Sequence, residues 1–132
     1  MLGLPECRRL LALGARQRRP GHLGIPEDGA PTVLPVDYAV HGPDPVVRVG
    51  EGLYEHLAGK LLAFQVDGTE DGRPWSVLVK GPAVPEEAGD VGFEVPAPRV
   101  AEPGNRFVRI RADVTTGRRL GRPTGGAGHR AL

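Results

Sequence analysis

Apolar positions along the chain fall into short runs broken by Gly and Pro. Near the N-terminus, Cys7, Leu10 and Leu11 recur at three- and four-residue spacing, which predicts an amphipathic helix over residues 5–13. Pro5 suits its first position, Glu6 its positive end and Gly14 its stop, with Arg8, Arg9 and Arg16 on the other side. The pattern then changes to strands. Residues 22–25 form a first run, ended by Pro26-Glu27-Asp28-Gly29, whose Asp-Gly pair signals a hairpin turn. Residues 32–40 form a second, in which Pro35 marks an edge or a bulge. His41-Gly42-Pro43-Asp44 turns the chain into a third run over 46–49, and the three are expected to make a meander. Gly50-Glu51-Gly52 opens a short helix over 53–58, closed by Gly59. Residues 61–67 predict a strand, 68–74 a polar loop, and 75–81 a strand whose partial alternation suggests cover on both faces. From 82 to 105 no periodicity is visible, after which Phe107, Val108 and Ile110 alternate with Arg106, Arg109 and Arg111 in a last strand. Six short strands with two small helices predict a small antiparallel barrel over residues 1–120. The pattern fades from Gly117, and 121–132 is expected to be a disordered tail.

Composition narrows the class. The 132 residues suit one domain with a core that needs no disulfide, and Cys7 is the sole cysteine. The 20 Gly and 14 Pro argue against an all-helical bundle, since each costs about 1 and 3 kcal/mol respectively in a helix interior. A net charge of +1 argues against a nucleic-acid binder. The arginines at 16, 18, 19, 118, 119, 122 and 130 have no aromatic stacking platform beside them and read as solvated charge. No run approaches the ~20 apolar residues of a membrane span, and the N-terminus lacks signal-peptide order. A cytoplasmic location is therefore expected, with Cys7 a reduced, packed thiol. His22, His41, His56 and His129 show no metal-ligand spacing, and no hydrolase motif is present.

Five ordered pieces carry a resemblance. They are the helix Glu6-Cys7-x-x-Leu10-Leu11; Pro31-x-x-x-Pro35-Val36-Asp37-Tyr38; Gly42 with Arg48-x-Gly50-x-Gly52; Ala63-Phe64-x-Val66-Asp67; and Trp75-Ser76-Val77-x-Val79-x-Gly81. Val108-x-Ile110 and Thr116-Gly117-Arg118-Arg119-Leu120 follow in order. The set, over roughly residues 4–120, resembles the pyridoxamine 5′-phosphate oxidase-like family of flavin-binding split barrels. The resemblance implies an all-β or β-rich α+β fold, a six-stranded antiparallel split barrel with two short helices. It also implies a homodimer with FMN between the subunits. By position it places Arg48 on the flavin phosphate, sets Pro35, Val36, Asp37 and Tyr38 along the isoalloxazine ring, and makes Trp75 the residue that closes the site. Val49 and Tyr54 fall within the phosphate motif.

The chemistry is consistent with that placement. A phosphate dianion wants a bidentate guanidinium and free backbone N–H groups, which Arg48 before a glycine turn can supply. A flat ring wants an apolar wall such as Leu34, Val36 and Tyr38 with an aromatic edge. The chain departs from the family pattern at Val49 and Leu53, where hydroxyls are usual, and at Tyr54, where a Lys is usual; Glu51 adds a carboxylate nearby. The function implied is a small FMN-dependent oxidoreductase acting on a small molecule. The alternative is a non-catalytic dimeric split-barrel binding protein whose phosphate clamp is lost or changed. No protein-borne catalytic acid or base stands out, Tyr38, Tyr54 and His56 being near the motif in sequence alone.

Overall fold

A computed structural model of the chain describes residues 1–87 and 106–121. Most of the aperiodic 82–105 stretch and nearly all of the expected tail therefore lie outside the described residues. Among them are two helices, α1 (Leu4–Arg16) and α2 (Glu51–Leu57), and eight strands. The strands are β1 (Gly21–Ile25), β2 (Thr32–Val36), β3 (Ala39–His41), β4 (Asp44–Val49), β5 (Leu61–Glu70), β6 (Arg73–Glu86), β7 (Arg106–Ile110) and β8 (Val114–Arg119). All pair antiparallel in the order β2-β1-β5-β6-β7-β4-β3, with β8 added to β6. The fold is a split barrel. One half of the sheet runs from β2 to β6 with β8, the other from β6 to β3, and the 14-residue β6 belongs to both.

The strand count is eight rather than six, for two reasons. The 32–40 run divides at Asp37-Tyr38, which carries the chain from edge strand β2 in one half to edge strand β3 in the other. The expected meander is thus two separate hairpins, β1–β2 and β3–β4. Residues 114–119, where no strand is expected and the pattern fades from Gly117, pair with Trp75–Lys80 as β8. The polar loop expected over 68–74 shrinks to Asp71-Gly72. Both residues have positive φ (52° and 75°), as a two-residue type I′ hairpin requires, and pairing runs out to Glu70 opposite Arg73.

The core fills the barrel and lies under α1. Alternate residues of β5 (Leu62, Phe64, Val66) and β6 (Trp75, Val77, Val79) point inward, with Leu23, Ile25, Val47, Val49, Val108 and Ile110 from the flanking strands. Helix α1 closes this core with Cys7, Leu10 and Leu11. It runs through Gly14 instead of stopping there, because that glycine faces the core: a Cβ would lie 2.6 Å from the Tyr38 hydroxyl and 3.1 Å from Trp75. Burial pushes the Cys7 thiol pKa up, so this thiol stays protonated and packed.

Candidate functional site

Strand β4 places Arg48 with its neighbours. Directly opposite residues of an antiparallel pair share a face, so the register Arg48↔Phe107 and Val46↔Arg109 sets these four on the outer side of the second half-sheet. Val47 and Val49 alternate with them into the core. On the outer side Arg109 is tied to Asp44 at 2.6 Å and lies 3.4 Å from Glu86, whose carboxylate also meets His41 at 2.9 Å. Asp44 additionally accepts from the Ala112 backbone N–H at 2.8 Å. The Arg109 Nε is buried without a hydrogen-bond partner, 3.4 Å from the Glu86 carboxylate, and the Arg48 Nε, on the same face, is likewise buried and unpartnered. An unmet buried donor costs about 1–3 kcal/mol, which an accepting group at Arg48 would remove.

One register step beyond Arg48, Arg106 stands opposite Val49 at the start of β7. Its Nη1 donates to both oxygens of Glu51, at 2.8 and 3.1 Å. The guanidinium carbon lies 3.7 Å from the centroid of the Tyr54 ring, a cation–π arrangement. Glu51 and Tyr54 both come from the first turn of α2, so the helix holds a cation at the end of β4. This pair answers two features of the sequence at once. The Glu51 carboxylate is neutralised by Arg106, and a positive charge sits on Tyr54 even though residue 54 is not itself a cation. Sequence reasoning did not find Arg106, because only the β4–β7 register brings it there; nor did it find Phe107, the apolar neighbour of Arg48.

The remaining expected residues are placed as follows. Pro35 lies exposed on β2 opposite His22. Asp37 is half-buried in the link between the two halves. Val36 and Tyr38 turn their side chains inward, leaving only backbone for a ligand. Tyr38 packs edge-on against Phe64 with ring centroids 4.8 Å apart, and its hydroxyl donates to the Leu11 carbonyl at 2.6 Å. Burial raises its pKa well above the ordinary phenol value. The expected apolar wall of Val36 and Tyr38 is corrected accordingly: it is core. Trp75 is corrected too. It is 0% exposed within a single chain, between Gly14 and Gly68, and has no edge to offer a cleft. Val49, at 2% exposure, is core as well. His56 is engaged by Glu27 at 3.0 Å, beside a groove of about 630 Å³ lined by Pro26, Glu27, Asp28, His56, Lys60 and Leu61. That groove adjoins the far end of α2 from Arg48. Among the described residues no helix is long and apolar enough to cross a membrane, and no three His, Cys, Asp or Glu side chains gather as a metal set.

Comparison with known proteins assigns this architecture. Residues 5–119 match the model of the pyridoxamine 5′-phosphate oxidase family, and the chain belongs to that family. Solved structures share the fold. An FAD-binding protein from Mycobacterium smegmatis is 24% identical with a TM-score of 0.71, over 90% of this chain and 98% of that one. A candidate pyridoxamine 5′-phosphate oxidase from Corynebacterium glutamicum is 21% identical with a TM-score of 0.72, over 90% and 95%. An FAD-binding protein from Mesorhizobium loti is 21% identical with a TM-score of 0.65, over 91% and 96%. No curated protein matches the chain.

Proposed function

We propose that this chain is a cytoplasmic flavin-dependent oxidoreductase acting on a small molecule, and that it works as a homodimer with flavin held between subunits. The observation that carries the reading is the family membership over residues 5–119, with Arg48, half-buried and holding a buried, unpartnered Nε, at the position the sequence resemblance gives to the cofactor phosphate. FMN and FAD both present such a phosphate, and two of the structural relatives are described as binding FAD. The residues present fit the group. Arg48 holds the phosphate, and Phe107, opposite it in the β4–β7 register, offers an apolar surface next to it. Backbone amides of the 35–38 stretch align the ring, since the Val36 and Tyr38 side chains are turned away. Bound flavin supplies the hydride-carrying ring, and the protein's part is to bind, orient and shield it. The second half of the dimer supplies the cleft's other wall; exposed Val33, Leu61 and Val114 on the outer face of the first half-sheet support such an assembly.

A second reading, a dimeric binding protein without redox activity, is favoured by the apolar Val49 and Leu53 where a phosphate would take hydroxyls. Titration of the purified protein with riboflavin, FMN and FAD, followed by flavin fluorescence, tests the main reading. Saturable binding of one flavin per chain, with reduction of the bound flavin by a nicotinamide or deazaflavin donor, is the expected outcome. Binding without reduction by any donor selects the second reading, and no binding at all removes flavin from both.

A further inference from the structure

The groove of about 630 Å³ at the far end of α2 holds charges that the flavin reading leaves unused. It lies between the β1–β2 turn, which supplies Pro26, Glu27 and Asp28, and the stretch leaving α2, which supplies His56, Lys60 and Leu61. Both oxygens of Glu27 are engaged: one accepts from the Thr32 hydroxyl at 3.1 Å, and the other meets His56 Nε2 at 3.0 Å. That contact ties the turn to the helix and makes one wall. Lys60 is fixed through its backbone. Its N–H donates to the Leu57 carbonyl at 3.0 Å, and its carbonyl accepts from the Ala83 N–H at 2.9 Å, after a turn at Gly59 with φ 76°. The Lys60 side chain is half-buried, yet its ammonium has no acceptor among the described residues. Asp28 is exposed, and its carboxylate has no donor among them either.

Two opposite charges thus line one groove without meeting each other, and Pro26 adds apolar surface beside them. A ligand of one sign answers only one of these poles. A monoanion on Lys60 approaches the carboxylates of Asp28 and Glu27, and a monocation on Asp28 approaches the Lys60 ammonium. A ligand carrying both charges satisfies both poles at once. We infer that this groove binds a small zwitterion of the amino-acid type, with its carboxylate on Lys60, its ammonium on Asp28 and its apolar part against Pro26. Small-molecule sites combine apolar surface with a few placed polar groups in this way. No residue of the groove takes part in holding the flavin, so the inference stands apart from that reading. Only Leu61, at the rim, is shared with the outer face of the first half-sheet.

The test removes one charge of the ligand at a time. The full chain, isotopically labelled, is titrated with L-leucine, L-leucinamide and N-acetyl-L-leucine, which carry both charges, the ammonium alone and the carboxylate alone. Amide chemical shifts give the dissociation constants. Leucine is expected to move the amides of residues 27–28 and 56–61 and to bind about fivefold more tightly than either analogue, the weight of one ion pair at ~4 Å in water. Lys60→Gln should bring leucine down to leucinamide while keeping its lead over N-acetyl-leucine, and Asp28→Asn should do the converse. Neither charged group holds another part of the described chain, and unmoved amides in β5 and β6 of each variant check the fold. Leucine binding no more tightly than its analogues, shifts confined to residues outside the groove, or variants that weaken all the ligands alike overturn the inference. So does a failure of all the ligands to bind. Flavin binding is a separate titration, so either reading can fall alone.

Discussion

At the scale of single residues, close packing and unmet hydrogen bonds decide what a side chain is for. Trp75 is the largest fully buried side chain, and it fits only because Gly68 lies beneath it: a Cβ there would stand 2.6 Å from the ring. Gly68→Ala is therefore expected to destabilise the fold by about 1–3 kcal/mol through overpacking, which denaturant unfolding followed by Trp75 emission will measure. The Trp75 Nε1 is buried without a hydrogen-bond partner, and Arg48 shares that state. Its Nε is buried without a partner, so the folded chain carries a cost that an anion would remove. Arg48→Ala should weaken FMN or FAD binding by about 1.5–3 kcal/mol, the range for hydrogen bonds to a charged group, and leave the apo-protein's melting temperature unchanged or slightly raised. A flavin dissociation constant that does not move would take Arg48 out of the site.

At the scale of elements, the N-terminal helix is held to the barrel by an ion cluster as well as by its apolar stripe. Arg9 bridges Glu6 and Glu70, with contacts of 2.7–2.9 Å, and Arg119 joins the same two carboxylates at 2.9 and 3.0 Å. Hydrogen bonds from Arg9 are the first cause, with Arg119 adding, of Glu6 and Glu70 both falling from an ordinary 4.5 to about 2. A native pKa below the unfolded one means that the unfolded chain binds more protons as pH drops. The contribution is thus complete above about pH 4.5 and is lost as pH falls through about 2. Thermal melts from pH 5 down to pH 2 should show a fall that Arg9→Ala flattens, and added salt should shrink it, since these groups are partly solvated. A wild-type slope equal to that of Arg9→Ala would dismiss the cluster.

The same scale shows what could be read from the sequence. Helix α1, the β1–β2 hairpin, β5 and the edge position signalled by Pro35 followed from periodicity and turn residues. The length of β6 did not, because Pro74, Pro82 and Pro85 read as breaks. Each proves compatible with a strand that changes partners: Pro82 lies where β8 pairing ends at Lys80 and β7 pairing begins at Ala83. Gly81 permits the exchange by letting the Arg111–Asp113 link pass against its backbone. Arg48 stands out in the sequence by its place before the glycine turn, and its phosphate role remains a proposal. Arg106 does not stand out, since strand register and not sequence spacing sets it over Tyr54. Tyr38 and Trp75 were misplaced for one reason: an aromatic ring that fills a core and one that lines a cleft give the same local pattern.

At the scale of the whole molecule, the outer face of the first half-sheet is the surface left to explain. Cross-strand register puts Val33, Gly24, Ala63, Lys80 and Val114 in one row, with Leu61 beside Ala63 on the same face. Val33, Leu61 and Val114 are 61%, 69% and 49% exposed. Large apolar side chains gathered on a flat sheet mark an interface, and a two-fold axis through such a face would bury it against its own copy. Since none of the three supports the core of its own chain, Val33→Glu with Leu61→Glu should leave the β-rich circular dichroism spectrum intact. Sedimentation should then move from a dimer in the wild type to a monomer of 14.0 kDa in the variant. If each flavin cleft takes one wall from the partner subunit, the same variant should also lose flavin affinity although neither residue is near Arg48 in sequence, and the two losses should follow one concentration dependence. A monomeric variant that keeps full flavin affinity would show that the cleft is complete within one chain. A wild type already monomeric at micromolar concentration would leave the exposed face without the role assigned to it.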